Sequence, residues 1–160
     1  TAATAQGNYS TYTSTLALTV LNVNLDNFGA YAGDTLDDAW QVQYFGQPPN
    51  ALAGPMEDIS GTGQTNLFKF VAGLNPLDPN SRFFLKIDSV PGQPGQKNLI
   101  FSPRLPDRTY TVKSKPDLAT GAIAPLTNPS APADNGDERI VTDLGASGAA
   151  KFYQIEITKP

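Results

Sequence analysis

The longest apolar stretch of the chain is patterned as a strand. Residues 12–25 contain neither glycine nor proline and are rich in Thr, Val, Leu and Tyr, side chains that fit a pleated surface. Leu16, Leu18 and Val20 fall on one face, and Ala17, Leu21, Val23 and Leu25 on the other. A strand that is apolar on both faces is expected to be covered on both. Fully extended, the segment would span roughly 46 Å, more than twice a usual strand of 5–6 residues. The period then changes. Asp34 or Thr35 is placed to cap a helix through Leu36, Ala39, Trp40, Val42, Gln43 and Phe45, stopped by Gly46 and Pro48-Pro49. A second helix is expected to open near Gln64 or Thr65. Its Leu67, Phe68, Phe70, Val71 and Leu74 recur at helical spacing, and Gly73 and Pro76 end it. Trp40, Phe68, Phe70 and Val71 are expected to be buried together as the core of this helix pair.

Beyond residue 82 the pattern alternates with a period of two. Residues 83–88 place Phe83, Leu85 and Ile87 inward and Lys86 outward. Residues 98–102, 109–113 (Tyr110 and Val112 inward), 139–143 and 151–158 read as further strands, with a sixth at 122–126. Turn signals between short strands predict a mainly β fold: a small immunoglobulin-like or fibronectin III-like β-sandwich with an N-terminal strand extension and a short two-helix segment. The predicted organisation is 1–28 for the strand extension, 29–81 for the two helices and their loops, and 82–160 for the sandwich. So few strands leave one sheet edge open.

Composition narrows the chemistry. The 160 residues carry 15 Asp+Glu against 11 Lys+Arg, a formal charge of −4, and include no Cys and no His. A thiol nucleophile, a disulfide, a Cys/His zinc site, an imidazole base and a Ser-His-Asp triad are all excluded within this chain. An acidic chain without a basic stripe is not expected to bind nucleic acid. No stretch approaches the ~18 apolar residues of a membrane helix, so membrane insertion is not expected. The opening Thr1-Ala2-Ala3-Thr4-Ala5-Gln6 suits removal of a leader. Together with the Thr/Asn/Gln-rich, weakly charged texture, it predicts a secreted or cell-surface protein.

One loop carries the pattern of a metal site. Asp58, Ser60, Thr62, Gln64 and Asn66 fall at alternate positions with Gly63 at the bend, the spacing of oxygen ligands in a calcium loop. The closing position, which needs a bidentate carboxylate, holds Lys69. An ammonium there repels a divalent ion, so the loop reads as weakened or lost for metal, and no metal or cofactor is expected. The ammonium is expected near Asp58 or the loop carbonyls. A second degenerate copy precedes it, with Asp34 and Asp38 before Trp40 and Gln41 at its end.

Asp37-Asp38-Ala39-Trp40-Gln41, followed by Gly63-Gln64-Thr65-Asn66-Leu67-Phe68-Lys69 and Gly73-Leu74-Asn75-Pro76-Leu77-Asp78-Pro79, resembles the paired dockerin-like or thrombospondin type 3-like loops of exported bacterial proteins. In those proteins a compact β domain often follows. Arg108-Thr109-Tyr110 and Phe152-Tyr153-Gln154-Ile155 are similar to two of its strands. The resemblance spans residues 34–160 and implies calcium-type loops on a helix pair in a non-catalytic terminal module.

Carboxylate clusters at Asp34, Asp37 and Asp38, and at Glu57 and Asp58, read as helix caps rather than as a glycosidase pair. No catalytic residue is assigned, and the chain is not expected to be an enzyme. Asn8-Tyr9-Ser10 matches a glycosylation sequon, and Tyr9 and Tyr12 are expected on a contact surface. The function expected is that of an extracellular structural subunit that self-assembles head-to-tail into a filament. Leu16, Leu18, Val20, Leu21 and Val23 would form the assembly strand added to a neighbouring copy. The alternative is a monomeric carbohydrate- or surface-binding module with surface glycans as partners.

Overall fold

The computed structural model describes residues 26–117, 119, 121–147 and 150–160. The assembly-strand residues Leu16, Leu18, Val20, Leu21 and Val23, like Tyr9 and Tyr12, lie outside the described residues. Among those described, the chain forms two short α-helices and seven strands in two antiparallel sheets, a mainly β protein built as a small β-sandwich.

Helix α1 spans Asp38–Phe45 and α2 spans Asn66–Ala72. The first is capped by Asp37, whose carboxylate accepts the Trp40 N–H at 3.1 Å. The expected caps lie one turn too early. Asp34 instead accepts the Leu36 N–H, and Thr35 stands at φ 77, a left-handed conformation that no helix start can use. Helix α2 is capped by the Thr65 hydroxyl and ends at Gly73 in the left-handed region, as a C-terminal glycine allows.

The strands are β1 Phe84–Val90, β2 Gln93–Ser102, β3 Thr109–Lys115, β4 Ala124–Pro125, β5 Ala133–Asn135, β6 Glu138–Asp143 and β7 Phe152–Thr158. One sheet has the order β1-β2-β6-β5 and the other β4-β3-β7. Alternation along the strands sends Leu99, Phe101, Val112, Val141 and Ile155 inward, where they meet Leu126 in the core between the sheets. Lettered in chain order, the two sheets are A-B-E-D and C′-C-F. The strand that follows F and pairs with it in an immunoglobulin-type sandwich has no counterpart among the described residues. One end of the sandwich is tied by a buried carboxylate: Asp143, fully buried, accepts the Tyr153 hydroxyl at 2.7 Å and pairs with Lys151. Burial pushes the Asp143 carboxyl up, but the Lys151 ammonium and the Tyr153 hydroxyl outweigh it and leave it below the usual carboxylate range.

Several expectations are corrected. Ile87, expected inward, is 48% exposed. Its strand lies at the edge of the four-stranded sheet, and the facing three-stranded sheet is too narrow to cover it. The strand expected at 122–126 shrinks to Ala124–Pro125, because proline offers no N–H to extend the ladder. Strand β5 carries no apolar alternation. A turn at Gly136 (φ 64) folds it back on β6, where Arg139 grips Asp134 through two hydrogen bonds.

The aromatic residues of the helices are not buried as one group. All of Trp40, Phe68, Phe70 and Val71 are half-buried. Trp40 meets the edge of Phe70 at 5.7 Å, whereas Phe68 packs on Phe83 at 6.0 Å, and Phe83 continues into Phe101 and Tyr110. The fully buried positions of the two helices are mostly polar instead: Asp38, Gln41, Asn66 and Lys69. The junction of helices and sandwich is completed by Gln64, which exchanges two hydrogen bonds with the Phe83 backbone, and by Arg108, whose Nε donates to the Val71 carbonyl at 2.6 Å.

Gly73 sits at this junction with φ +72, and a Cβ there would lie 2.2 Å from Leu105 Cδ1; Gly92 has a similar φ of +73 with nothing within 4 Å. Gly92→Ala is therefore expected to cost the left-handed strain alone, about 1–2 kcal/mol. Gly73→Ala should cost about 1 kcal/mol more, because half-buried Leu105 has to swing its terminal methyl aside. Urea unfolding of the two variants measures the gap, and equal losses would show that Leu105 yields freely.

Candidate functional site: the helix-pair loops and the open sheet edges

The loop before α2 is organised around one carboxylate. Asp58 Oδ1 accepts the Ser60 and Thr62 hydroxyls, each at 3.2 Å, and Oδ2 accepts the Gly63 N–H at 2.6 Å. Lys69, one turn into α2, reaches back so that Nζ lies 3.2 Å from Asp58 Oδ1 and donates to Ser60 Oγ. Its side chain is fully buried, while that of Asp58 retains 20% exposure. The alternate-position pattern thus brings Asp58, Ser60 and Thr62 together around an ammonium. The other two residues turn away. Gln64 faces Phe83, and Asn66, fully buried, donates to the Leu52 and Gly54 carbonyls, each at 2.9 Å. Burial pushes the Asp58 carboxyl up, but the backbone N–H groups of Gly63 and Thr62 and the Lys69 ammonium together outweigh it. They bring the pKa down to about 2.

The loop before α1 repeats the plan with different chemistry. Positive φ at Gly33 and Thr35 matches that at Gly61 and Gly63, and Asp37, Asp38 and Gln41 stand in α1 where Thr65, Asn66 and Lys69 stand in α2. Asp26 plays the part of Asp58: its carboxylate accepts the N–H groups of Gly33, Asp34 and Thr35. The bond from Thr35 contributes most to holding its pKa below the usual value, against a smaller upward push from burial. The sequence pattern missed Asp26 because it lies eight residues before Asp34, too far back for an alternate-position grid. Gln41 donates to Asp34 Oδ2 at 2.7 Å and to the Ala53 carbonyl at 3.0 Å. Asp38 Oδ2 accepts the Asn27 and Phe28 N–H groups, both at 2.7 Å. Among the described residues, three buried oxygens, Asp38 Oδ1, Gln41 Oε1 and Asn66 Oδ1, have no hydrogen-bond donor.

Calcium, expected from the loop pattern that the sequence resembles, does not fit the donor set of the loop before α2. In the loop before α2 an ammonium stands among the ligand oxygens and only one carboxylate is present. In the loop before α1, Asp26 and Asp38 Oδ2 are engaged by backbone N–H groups, while Asp38 Oδ1 has no hydrogen-bond partner among the described residues.

The second feature is the set of sheet edges. Strands β1 and β5 bound one sheet, and β4 and β7 the other. A groove of about 430 Å³ runs between α2 and β7, with Leu67, Phe68 and Val71 on one wall and Gln154, Ile155, Glu156 and Ile157 on the other.

No protein-family model matches the chain, and no curated protein or solved structure matches it either.

Removing the ammonium leaves Asp58 among hydroxyls. Lys69→Met is expected to cost roughly 2–4 kcal/mol, less than a fully enclosed pair because Asp58 is partly exposed. Asp58→Asn combined with Lys69→Met should lose less than the sum of the single changes, by about 1–2 kcal/mol in a denaturation cycle. Strict additivity would mean the pair contributes nothing. Because the Asp58 carboxyl is depressed, its share of stability is fully present above the ordinary carboxylate range near pH ~4. It is lost as pH falls through about 2, and the acid unfolding curve of Asp58→Asn should lack that component.

Calorimetric titration is expected to show no calcium binding at this loop. Lys69→Glu alone should not create a micromolar site, since Ser60 and Thr62 supply no charge. A tight calcium signal abolished by Asp58→Asn would contradict this.

Proposed function

We propose that this chain is a non-catalytic structural subunit that acts outside the cell and assembles head-to-tail, a strand from residues 12–25 of one copy adding to a sheet edge of the next. The observation that carries the reading is a mismatch between supply and demand for strands. The sandwich leaves sheet edges without a neighbour among the described residues, while the same chain holds an apolar, strand-forming segment with no charged residue anywhere in positions 1–25. Strand addition satisfies both, because the backbone ladder gives directional pairing and alternate side chains fill a partner surface. A head-to-tail contact of this kind does not close on itself and so propagates. The side-chain chemistry of the chain agrees with a passive role. His and Cys are absent, and the buried carboxylates Asp38 and Asp143 hold backbone groups, Tyr153 or Lys151. Among the described residues no helix is long and apolar enough to cross a membrane.

Sedimentation velocity and negative-stain microscopy of the full chain are expected to show concentration-dependent growth into linear polymers. A chain lacking residues 1–25 should stay monomeric, and a peptide spanning 10–25 should raise its melting temperature. Leu18→Asp should weaken assembly far more than Thr13→Asp, because Thr13 lies outside the apolar run. A full chain that remains monomeric at high concentration would sink the filament reading and leave a monomeric surface-binding module.

A further inference from the structure

The sandwich presents four edges, and they are not equivalent. Strand β4 has two residues, one of them Pro125, and β5 has three, preceded by Pro132. Neither offers a ladder of useful length. Strand β1 is long but defended. Lys86 and Asp88 form an exposed ion pair on it at 2.7 Å, and its pairing with β2 shifts register between Ser89 and Val90. Charged side chains and bulges are the usual protections of an edge strand. Strand β7 has seven residues, Phe152–Thr158, without proline, glycine or bulge. It pairs in unbroken register with β3 from Thr109↔Thr158 to Lys115↔Phe152. On its other side no described strand pairs with it. It is also the place where, among the described residues, an immunoglobulin-type order has no neighbouring strand.

Resting on the assembly reading above, we infer that the acceptor edge is β7 and that its occupant is residues 14–20 of a second copy of this chain. The segment matches the strand in length, seven residues against seven. Its two faces match the two surroundings. Leu16, Leu18 and Val20 fall on the side of Ile155 and Ile157, where the apolar groove beside α2 receives them. Thr15, Ala17 and Thr19 fall on the side of Gln154 and Glu156, the exposed polar residues that line the same groove, and of exposed Thr158. The segment carries no charge, so it meets no repulsion from Glu156 on β7 or from the flanking Lys151 and Lys159. One wall of the groove is α2, so the helix pair shapes the acceptor surface.

The absence of cysteine makes disulfide mapping clean. In the full chain, Thr15, Ala17 or Thr19 is replaced by Cys one at a time, each combined with Cys at Gln154 or Glu156. The same donors are combined with Asp88→Cys on β1 or Asn135→Cys on β5 as comparison. Mild oxidation followed by non-reducing electrophoresis and mass spectrometry is expected to give intermolecular ladders for the β7 combinations, at least tenfold above the β1 and β5 combinations. Ladders through Asp88→Cys or Asn135→Cys, or polymers that give no bond at 154 or 156 with any donor, overturn β7 as the acceptor while leaving strand-mediated assembly standing. A bond to β7 confined within single chains overturns the second copy as occupant. An unmodified chain that sediments as a monomer sinks the assembly reading itself and this assignment with it.

Discussion

The buried ammonium of Lys69 is the constraint on which the helix segment depends. A charge removed from water is tolerated only when it is paired and hydrogen-bonded, and here Asp58 and Ser60 meet that demand. The consequence is geometric. Residues 58–63 must close over the first turn of α2, Asn66 is then held against the Leu52 and Gly54 carbonyls, and the helix is fixed at both ends. With α2 fixed, Phe68 meets Phe83 and the Val71 carbonyl meets Arg108. That contact sets the distance between α2 and β7 and so the width of the apolar groove. An internal cation thus holds the loop, and the helix it anchors forms one wall of the groove beside β7.

The two loops show how one backbone plan carries different chemistry. Both use left-handed residues two and four positions before the helix cap and both hang from one carboxylate, Asp26 or Asp58. The groups reaching back from the helices differ: a neutral amide at Gln41 and an ammonium at Lys69. Each ties its loop to the helix through a side chain of the chain itself.

Much of the sandwich was legible in its alternation. Leu85, Tyr110, Val112 and Ile155 reveal their strands because a half-buried strand repeats with period two. Ile87 misled because alternation reports which face a residue occupies and not whether the opposite sheet reaches that far. Strand β5 was invisible because its pairing comes from the turn at Gly136 and the Arg139–Asp134 contact, neither of which is an apolar pattern. In the helix segment the alternate oxygens at Asp58, Ser60 and Thr62 pointed correctly to a shared centre. Gln64 and Asn66 obeyed the same spacing yet turned away from Asp58, Gln64 to the Phe83 backbone and buried Asn66 to the carbonyls of Leu52 and Gly54. Asp26 lay beyond any local motif, and only the folded loop brings it under Thr35.

The central claim is that the free side of β7 is covered by a strand from another copy, and amide hydrogen exchange along β7 tests it most directly. It is measured at high protein concentration in the full chain and in a chain lacking residues 1–25. Alternate β7 amides point away from β3. The account predicts that these amides exchange slowly in the full chain and quickly in the shortened one, while amides of β2 and the β3-facing amides of β7 stay slow in both. Equal, rapid exchange of the outward amides in both proteins would contradict it.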